Sequence, residues 1–295
     1  MSNEFHLSEM RKSYPNAITA SVAPVRRCFC ISFYEGSLDL LKYVDDDFFI
    51  YFKGEMNRTA HDDFADERKA WIPNTGYNLH AYLDFIVRNY EDLPDIVVFC
   101  KNSTYPRHVS EAIFARLSQR NVYTPIVDPE SWEGMRFPVA VRSSAGDYLE
   151  INDSWYARDR RGRYFDDFTS FFNFIFAEAA YPTYVRFGPG GNVVVPRNNI
   201  LLRSRAFYQN LLSFIDYEPL ALESFFVERS LDAIFCAPFE ESAEMRQVLD
   251  NEALAQLAAR PRRPLPGHKP WRRALTKLHY TAARLSNAAF GMPRG

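Results

Sequence analysis

The chain has 295 residues, of which 47% are hydrophobic and 24% are charged, as expected of a globular protein with one large or two small domains. Residues 1–20 lack the apolar centre of a signal peptide, and no run of about 18 apolar residues predicts a membrane-spanning helix. The four cysteines fit neither zinc-site nor redox-motif spacing, which predicts buried free thiols in a reducing cytoplasm; they are Cys28, Cys30, Cys100 and Cys236.

The charge is distributed unevenly along the chain. The formal net charge is −2, but residues 253–295 contain nine Lys or Arg and no Asp or Glu. The first 252 residues then carry 26 basic and 37 acidic side chains, a balance of −11. A basic tail after an acidic body predicts an anionic partner, either a membrane surface or the protein's own acidic face. The acidic body argues against nucleic acid, because a nucleic-acid-binding face requires focused positive potential.

The first predicted strand follows a leader, residues 1–24, that we expect to have little structure of its own. Residues 27–34 form a β-type run typical of a central strand, and residues 38–43 predict a short helix after a loop. The second strand is predicted at residues 48–52 and ends at Lys53-Gly54.

Two charged segments flank this second strand. The aspartates at residues 45–47 could supply hard oxygen ligands for Mg²⁺. They precede the strand, at the end opposite the expected ligand crevice, so a solvated turn is favoured over a metal site. Residues 55–69 are rich in charge and are expected to be exposed.

Residues 71–108 carry the clearest pattern in the chain. Residues 79–90 place apolar side chains at helical spacing after a turn at 74–76. Residues 96–99 form the continuous apolar run of a strand covered on both faces. A helix followed by a buried strand predicts a βαβ unit and a mainly parallel sheet, in which ligands bind past the carboxyl ends of the strands. Lys101-Asn102-Ser103 lies at such an end.

The second half of the chain predicts further helices and short strands. Helices are expected at 109–120, 165–180, 198–215 and 221–235, and strands at 137–141, 148–151 and 193–195. Residues 121–163 could be an insertion that shapes acceptor specificity. The basic cluster at 158–163 could contact phosphates, although a solvated loop is favoured. The glycines at 188–191 would allow a ligand to approach the backbone, but they are not a phosphate-binding P-loop, because Gly-Lys-Ser/Thr is absent.

Glu223 and Glu228 interrupt the apolar pattern of the helix predicted at 221–235. A buried carboxylate is costly unless it is paired or functional. A glutamate at a cleft could therefore act as a base, with Arg229 as a clamp for phosphate or carboxylate. A surface ion pair is the alternative that the spacing alone favours.

The tail combines a Pro/Arg-rich linker, residues 258–270, with an amphipathic helix predicted at 271–290. Basic amphipathic helices bind membrane surfaces. Docking of this helix on the acidic body is the alternative.

Several short segments, taken in order, form a combined pattern. They are Tyr34 and Leu38, Tyr51-x-Lys53-Gly54, Asn74-x-Gly76, Tyr82-Leu83, Asn89-Tyr90-x-x-Leu93-Pro94-Asp95, Phe99, Phe207-Tyr208, Glu228-Arg229 and Ile234-Phe235. Over residues 28–108 and 184–236 this order resembles a largely uncharacterised family of microbial domains grouped with GT-A-like glycosyltransferases.

The resemblance implies an α/β domain at residues 25–250 with a GT-A-like (Rossmann-like), mixed but mainly parallel sheet flanked by helices, followed by a basic helical tail at 251–295. It implies a glycosyltransferase of polysaccharide biosynthesis that moves a sugar from a nucleotide diphosphate donor to a glycan or lipid-linked acceptor. Glu228 would be the catalytic base, and Arg229 would position the acceptor or the phosphate. The donor site would be lined by Tyr34, Glu35, Lys53, Asn74, Gly76, Lys101 and Asn102.

The chain departs from the family pattern at polar positions. It has Glu35-Gly36-Ser37 in place of Asn-Glu-Asp, Tyr77-Asn78 in place of Arg-Glu, and Lys101-Asn102 in place of Gln-Gly. No Asp-x-Asp follows Phe99, so no metal ligand is assigned, although a GT-A enzyme would use Mn or Mg. Lys101, Lys53 or an arginine could instead neutralise the diphosphate, because a fixed cation also stabilises a leaving group.

The altered positions leave an alternative open, a non-catalytic GT-A-like protein that binds a glycan or a partner. In either case we expect a cytoplasmic protein whose basic residues 260–290 could hold it at the inner face of the membrane.

Overall fold

The computed structural model describes residues 25–44, 47–57, 64–128, 139–142, 148–150, 162–178, 184–186 and 188–261. Several predictions lie outside the described residues: the leader at 1–24, the first two aspartates of the run at 45–47, most of the basic cluster at 158–163, and the amphipathic helix at 271–290.

The described chain alternates strands and helices. The strands are β1 Arg27–Phe33, β2 Asp47–Lys53, β3 Lys69–Ile72, β4 Ile96–Lys101, β5 Thr124–Pro125, β6 Val139–Arg142, β7 Tyr148–Glu150, β8 Phe176–Ala177, β9 Tyr184–Arg186, β10 Val193–Pro196 and β11 Glu240–Glu241. The α-helices are α1 Leu79–Asn89, α2 Glu111–Leu117, α3 Phe168–Ile175, α4 Arg197–Ile200, α5 Arg205–Ile215, α6 Leu222–Cys236 and α7 Asn251–Ala258. Within the described ranges, every helix is too short or too polar to cross a membrane.

Six strands form the main sheet, in the order β3-β2-β1-β4-β10-β5. The pairs β1–β2, β2–β3 and β1–β4 are parallel, whereas β10 runs antiparallel to both β4 and β5. There are two smaller antiparallel sheets in the described chain. One pairs β11 with β8, and the other has three strands in the order β7-β6-β9. The predicted α/β class, with a mostly parallel mixed sheet flanked by helices, is confirmed.

Side chains of the central strands alternate between two buried clusters, one on each face of the sheet. In β1, Cys30 joins the cluster under α1, α5 and α6, whereas Ile31 joins the cluster that contains Phe114 of α2. All residues of β1 and β4 are buried. A strand covered on both faces has a continuous run of apolar residues in its sequence. Both strands could therefore be predicted from the sequence.

Aromatic rings fill much of the larger cluster. Phe99 of β4 has its ring centroid 5.1 Å from that of Tyr82, 6.3 Å from that of Phe85 and 6.5 Å from that of Phe235. The abundance of Phe and Tyr therefore reflects core packing between the sheet and helices α1 and α6.

Two elements differ from the sequence prediction because distant residues decide them. Residues 69–72, predicted as the end of an exposed segment and the start of a loop, form edge strand β3 paired with β2. The single helix predicted at 198–215 is divided into α4 and α5. At the break, the buried Arg203 donates to Ala233 O at 3.0 Å and Ile234 O at 3.0 Å near the end of α6, and Ser204 Oγ accepts from Phe207 N at 3.2 Å and caps α5.

One of the four cysteines also differs from the sequence prediction. Cys28, Cys30 and Cys100 are buried free thiols as predicted, whereas Cys236 at the end of α6 is exposed, which corrects its predicted burial. Helix α7 packs Leu257 into the larger cluster. Helix α7 therefore packs against the core of the domain.

Phe99→Ala should lower the free energy of unfolding by about 3–5 kcal/mol, because it removes a ring that is 1% exposed and leaves a cavity between sheet and helices. Val122→Ala, at a side chain that is 64% exposed, should change it by less than about 0.5 kcal/mol. Urea denaturation of both variants measures the difference. Equal effects would show that the Phe99 cavity collapses without cost.

Candidate functional site

The order of the strands creates a crevice between β1 and β4. From β1 the chain continues to β2 and β3 on one side, then returns to place β4 on the other. Ligands of open α/β sheets bind at such a reversal, past the carboxyl ends of the strands. The two loops that flank the crevice are joined, because Asn102 Nδ2 donates to Glu35 O at 2.7 Å and to Ser37 O at 3.0 Å.

Tyr34 and Asn74 lie together beside Gly54, at the ends of β1, β3 and β2 respectively. A Cβ atom placed on Gly54 would lie 3.6 Å from Tyr34 Cε2 and 3.4 Å from Asn74 Cβ. Tyr34 is 41% exposed, and Glu35 next to it is also exposed. The structure thus brings these predicted donor-site residues to one edge of the crevice.

Lys53 occupies a different position from the one expected. Its side chain is 2% exposed, and its ammonium donates to Thr75 O at 2.7 Å and to Tyr77 O. The loop also bonds to the chain after α5, through Gly76 N to Glu218 O and Tyr77 N to Pro219 O, both at 2.9 Å. Lys53 therefore fixes the loop that carries Tyr77, rather than facing the crevice.

The backbone of this loop is strained. Gly76 has φ +62° and Tyr77 has φ +52°, and a non-glycine residue rarely adopts this left-handed conformation. A Cβ on Gly76 would lie 2.9 Å from Ile215, so glycine is required there. Strain of this kind persists where surrounding contacts enforce it, often at binding sites.

A polar network supports the same loop. Thr75 Oγ1 donates to Asp216 Oδ1 at 2.5 Å and contacts His80 Nδ1 at 2.8 Å, so the Nδ1–H of His80 is the donor in the second bond. Burial lowers the pKa of His80 to about 4, with the charge of Lys53 as a second cause. Burial also lowers the pKa of Lys53 to about 7, against the opposing effect of Asp216. The neutral amine of Lys53 keeps two N–H donors, enough for both carbonyls.

Lys101 ends β4 on the same face of the sheet as Phe99. It is 6% exposed, and its Nζ donates to Tyr77 Oη at 2.9 Å. Its backbone N–H is shared between Asn192 Oδ1 at 3.1 Å and Thr104 Oγ1 at 3.2 Å. Burial lowers the pKa of Lys101 to about 8, and Arg107 lowers it further, whereas Glu228 opposes the shift.

His108, which the sequence did not single out, lies beside Lys101. Its Nε2 is buried and has no hydrogen-bond partner among the described residues. Burial lowers the pKa of His108 to about 3, with smaller contributions from Lys101 and Arg107. The only sequence signal was its place in the polar loop after β4.

Glu228 and Arg229 are buried, at 4% and 1% exposed, so the predicted surface ion pair is wrong. Helix α6 lies between α3, α4, α5 and the turn Pro189–Gly191, and its middle has no solvent-facing side. Glu228 Oε1 accepts from Gly190 N at 2.6 Å, and its Oε2 lies 3.4 Å from Arg229 Nη1. Glu228 thus anchors the glycine turn beside Lys101.

Glu223, the other glutamate of this helix, is also buried and has structural hydrogen-bond partners. Its carboxylate accepts from Tyr164 N at 2.7 Å, Phe165 N at 3.3 Å and Tyr217 Oη at 2.6 Å. Burial raises its pKa, against these hydrogen bonds. Glu223 therefore holds the chain before α3.

In the parts of the chain that the structure describes, no group of three or more His, Cys, Asp or Glu side chains is arranged to hold a metal ion. Two cations lie at and shortly after the end of β4, namely Lys101 and the exposed Arg107, whose charge lowers the pKa of Lys101.

A family described as protein of unknown function (DUF3431) matches residues 49–252, more than half of the chain. The chain therefore belongs to this uncharacterised family, and the match carries no link to glycosyltransferases. No curated protein matches the chain.

Glu228→Gln should lower the free energy of unfolding by about 3 kcal/mol, because it removes a buried carboxylate beside the buried Arg229. The matched control is Glu240→Gln, which breaks the exposed 3.2 Å pair with Arg246 and should cost less than about 0.5 kcal/mol. Urea denaturation at pH 7 gives both values. A cost for Glu228→Gln no larger than the control's would contradict a structural role for the carboxylate.

Lys53 should make the protein more stable as pH rises above 7. Its folded pKa of about 7 lies below the unfolded value of about 10.4. Between these values the unfolded state binds more protons, so the free energy of unfolding rises by up to about 1.4 kcal/mol per pH unit. Lys53→Met removes this pH-dependent contribution to the free energy of unfolding.

Urea denaturation from pH 6 to pH 9 tests this. Above pH 7, the free energy of unfolding should increase with pH more steeply for the wild type than for Lys53→Met. Lys69→Met, in edge strand β3, is the matched control. Parallel curves for wild type and Lys53→Met would contradict the lowered pKa.

Proposed function

We propose that the protein is a glycosyltransferase that moves a sugar from a nucleotide diphosphate donor to a hydroxyl group of a glycan or lipid-linked acceptor. The observation that carries the proposal is the reversal of strand order between β1 and β4. It places the loops with Tyr34 and Lys101 at the crevice where open α/β sheets bind nucleotides. The motif resemblance to GT-A-like enzymes adds the reaction class.

In this proposal the donor lies across the ends of β1, β2 and β4. The ring of Tyr34, 41% exposed, provides a face on which a nucleobase can stack. Glu35, Asn74 and Asn102 line the same edge. Lys101 faces the diphosphate and stabilises the charge that develops on it.

The reaction forms a bond between the acceptor oxygen and the anomeric carbon of the sugar. The bond from that carbon to the diphosphate oxygen breaks, and the oxygen keeps the electron pair. The acceptor proton passes to a base, for which Glu228 is the candidate, because its charge acts on Lys101 and opposes the lowering of the Lys101 pKa. Mn or Mg, if required, would be held by the donor phosphates together with protein ligands, because the described residues contain no group of three or more His, Cys, Asp or Glu arranged to hold a metal ion.

Glu228 also supports a second candidate, a non-catalytic protein that binds a glycan or a partner. Both carboxylate oxygens are engaged, one by Gly190 N and one by Arg229, and the residue is 4% exposed. Catalysis by Glu228 therefore requires the glycine turn to move, whereas binding does not.

Thermal unfolding with UDP, GDP, CDP and their sugars, with and without Mn, tests the proposal. A ligand that binds only the folded state, at about 100 times its Kd, raises stability by about 2.7 kcal/mol. One nucleotide class should raise Tm by several degrees. Tyr34→Ala should weaken its binding by about tenfold through lost stacking.

Leu202→Ala is the control, because Leu202 is 47% exposed and follows α4 at the opposite edge of the sheet. Absence of a Tm shift with every nucleotide would favour the binding protein. If a donor is found, full transfer activity in Glu228→Gln would exclude Glu228 as the base.

A further inference from the structure

The hydroxyl group of Tyr77 and the amino group of Lys101 form a pair at the carboxyl end of β4. Lys101 Nζ lies 2.9 Å from Tyr77 Oη and 5.2 Å from the centroid of the Tyr77 ring. Lys101 is 6% exposed, whereas Tyr77 is only partly buried. Tyr77 is therefore the member of the pair with more contact with solvent.

Contacts on three sides hold Tyr77 in a backbone conformation that a non-glycine residue rarely adopts. Its φ is +52°, in the left-handed region. Its N–H donates to Pro219 O at 2.9 Å, and its carbonyl accepts from the buried ammonium of Lys53. Its ring centroid lies 6.4 Å from that of Phe225 in α6. Strained conformations persist where surrounding contacts enforce them, often at functional sites, and this one holds a hydroxyl group at Lys101.

The surroundings of Lys101 weaken its hold on a proton. Burial and the charge of Arg107 lower the pKa of Lys101 to about 8, against the opposing effect of Glu228 in α6. His108, in the same loop as Arg107, stays neutral, because burial lowers its pKa to about 3. Part of the Lys101 population is therefore neutral near pH 8, and a neutral lysine amine can act as a base.

Ionisable groups from two further elements act near Tyr77. Lys53 of β2 donates to its carbonyl, and burial lowers the pKa of that lysine to about 7. Tyr82 of α1 interacts electrostatically with Tyr77, but burial raises the pKa of Tyr82 well above its usual range. Tyr82 therefore keeps its proton in the pH range in which Lys101 titrates.

Glu228, the other candidate base, is less suited to accept a proton. It is 4% exposed, its Oε1 accepts from Gly190 N at 2.6 Å, and its Oε2 lies 3.4 Å from Arg229 Nη1. A proton on Glu228 would weaken both contacts. The contact between Tyr77 and Lys101 persists in either protonation state, because the ammonium donates to the hydroxyl oxygen and the neutral amine accepts from the hydroxyl group.

We propose that Tyr77 and Lys101 form a proton relay that serves as the base of the reaction at the crevice. The amine of Lys101 accepts the hydroxyl proton of Tyr77, while Tyr77 Oη takes the proton of the acceptor hydroxyl group. The proton-sharing pair rests on the geometry, and its use in sugar transfer rests on the proposed function.

Protons and charge balance in this step. The acceptor oxygen forms its bond to the anomeric carbon as its proton passes to Tyr77. The bond from that carbon to the diphosphate breaks, and its electron pair stays on the diphosphate oxygen. Tyr77 ends as a neutral phenol, and Lys101 gains one positive charge as the diphosphate gains one negative charge. The new ammonium stabilises the leaving group and returns its proton to water after release.

Nuclear magnetic resonance of the full chain, with ¹³C-labelled tyrosine and lysine, tests the pair without a substrate. The ε-carbon of Lys101 should titrate near pH 8. The ζ-carbon resonance of Tyr77 should move in the same pH range, because the direction of its hydrogen bond reverses. Tyr77→Phe and Lys101→Met assign the two resonances. In Lys101→Met, the Tyr77 resonance should move only near the usual tyrosine pKa of about 10. A wild-type Tyr77 resonance that does not respond to the ionisation of Lys101 would overturn the proposal.

Sugar transfer with the donor that the nucleotide screen identifies tests the use of the relay. As pH rises, kcat should increase in step with the loss of the Lys101 proton near pH 8. Tyr77→Phe should lower kcat by about a hundredfold or more with little change in KM, because it interrupts general base catalysis.

Tyr43→Phe is the matched control. Tyr43 is also partly buried, and Lys42 Nζ lies 5.1 Å from its ring centroid. Its hydroxyl, however, donates to Glu111, and its ring packs with the cluster on the other face of the sheet. The control should leave kcat and the Tyr77 resonance unchanged. Circular dichroism and Tm confirm that each variant folds. If Lys101→Met fails to fold, the wild-type titration and Tyr77→Phe still decide the outcome.

Failure of the relay and failure of the proposed function give different results. A shared titration of Tyr77 and Lys101, without sugar transfer from any donor, would leave the proton-sharing pair and remove the transferase. Sugar transfer at full kcat in Tyr77→Phe would remove the relay as the base and leave the transferase.

Discussion

The parallel pairing of β1 with β2 on one side and with β4 on the other fixes the position of every candidate residue. In register, Ser32 of β1 lies beside Tyr51 of β2 and Lys101 of β4. Because side chains alternate along a strand, Lys53 and Lys101 fall on the face covered by α1 and α6. Both ammonium groups are consequently buried at the carboxyl edge of the sheet, and their environment depends on what those helices and their loops provide.

Burial of charge at this edge is costly, and the fold compensates for it in two different ways. Lys53 is matched by backbone carbonyls of the loop that carries Tyr77. The ammonium of Lys101 donates to Tyr77 Oη, and the charge of Glu228 opposes the lowering of its pKa. The first lysine is therefore part of the architecture, whereas the second retains donors that a ligand can use. The two buried glutamates of α6 also differ in what they bind. Glu223 holds the chain before α3, whereas Glu228 anchors the turn at the crevice.

The chain belongs to a family of unknown function, and this membership does not assign it a reaction. The reversal of strand order favours a nucleotide ligand, because such a reversal is a general feature of nucleotide-binding α/β sheets. The motif resemblance favours sugar transfer as the reaction.

Elements with local signals can be predicted from the amino-acid sequence alone. The strands β1 and β4 follow from continuous apolar runs, helix α1 from apolar spacing, and Lys101 at a strand end from its place after such a run. The remaining features depend on contacts between segments that are distant in the chain. Strand β3 depends on pairing with β2, the break at Arg203 depends on carbonyls near the end of α6, and the burial of Glu228 depends on the helices around it. His108 joins Lys101 and Gly190 because distant segments meet at one edge of the sheet, and such proximity has no signature in local spacing.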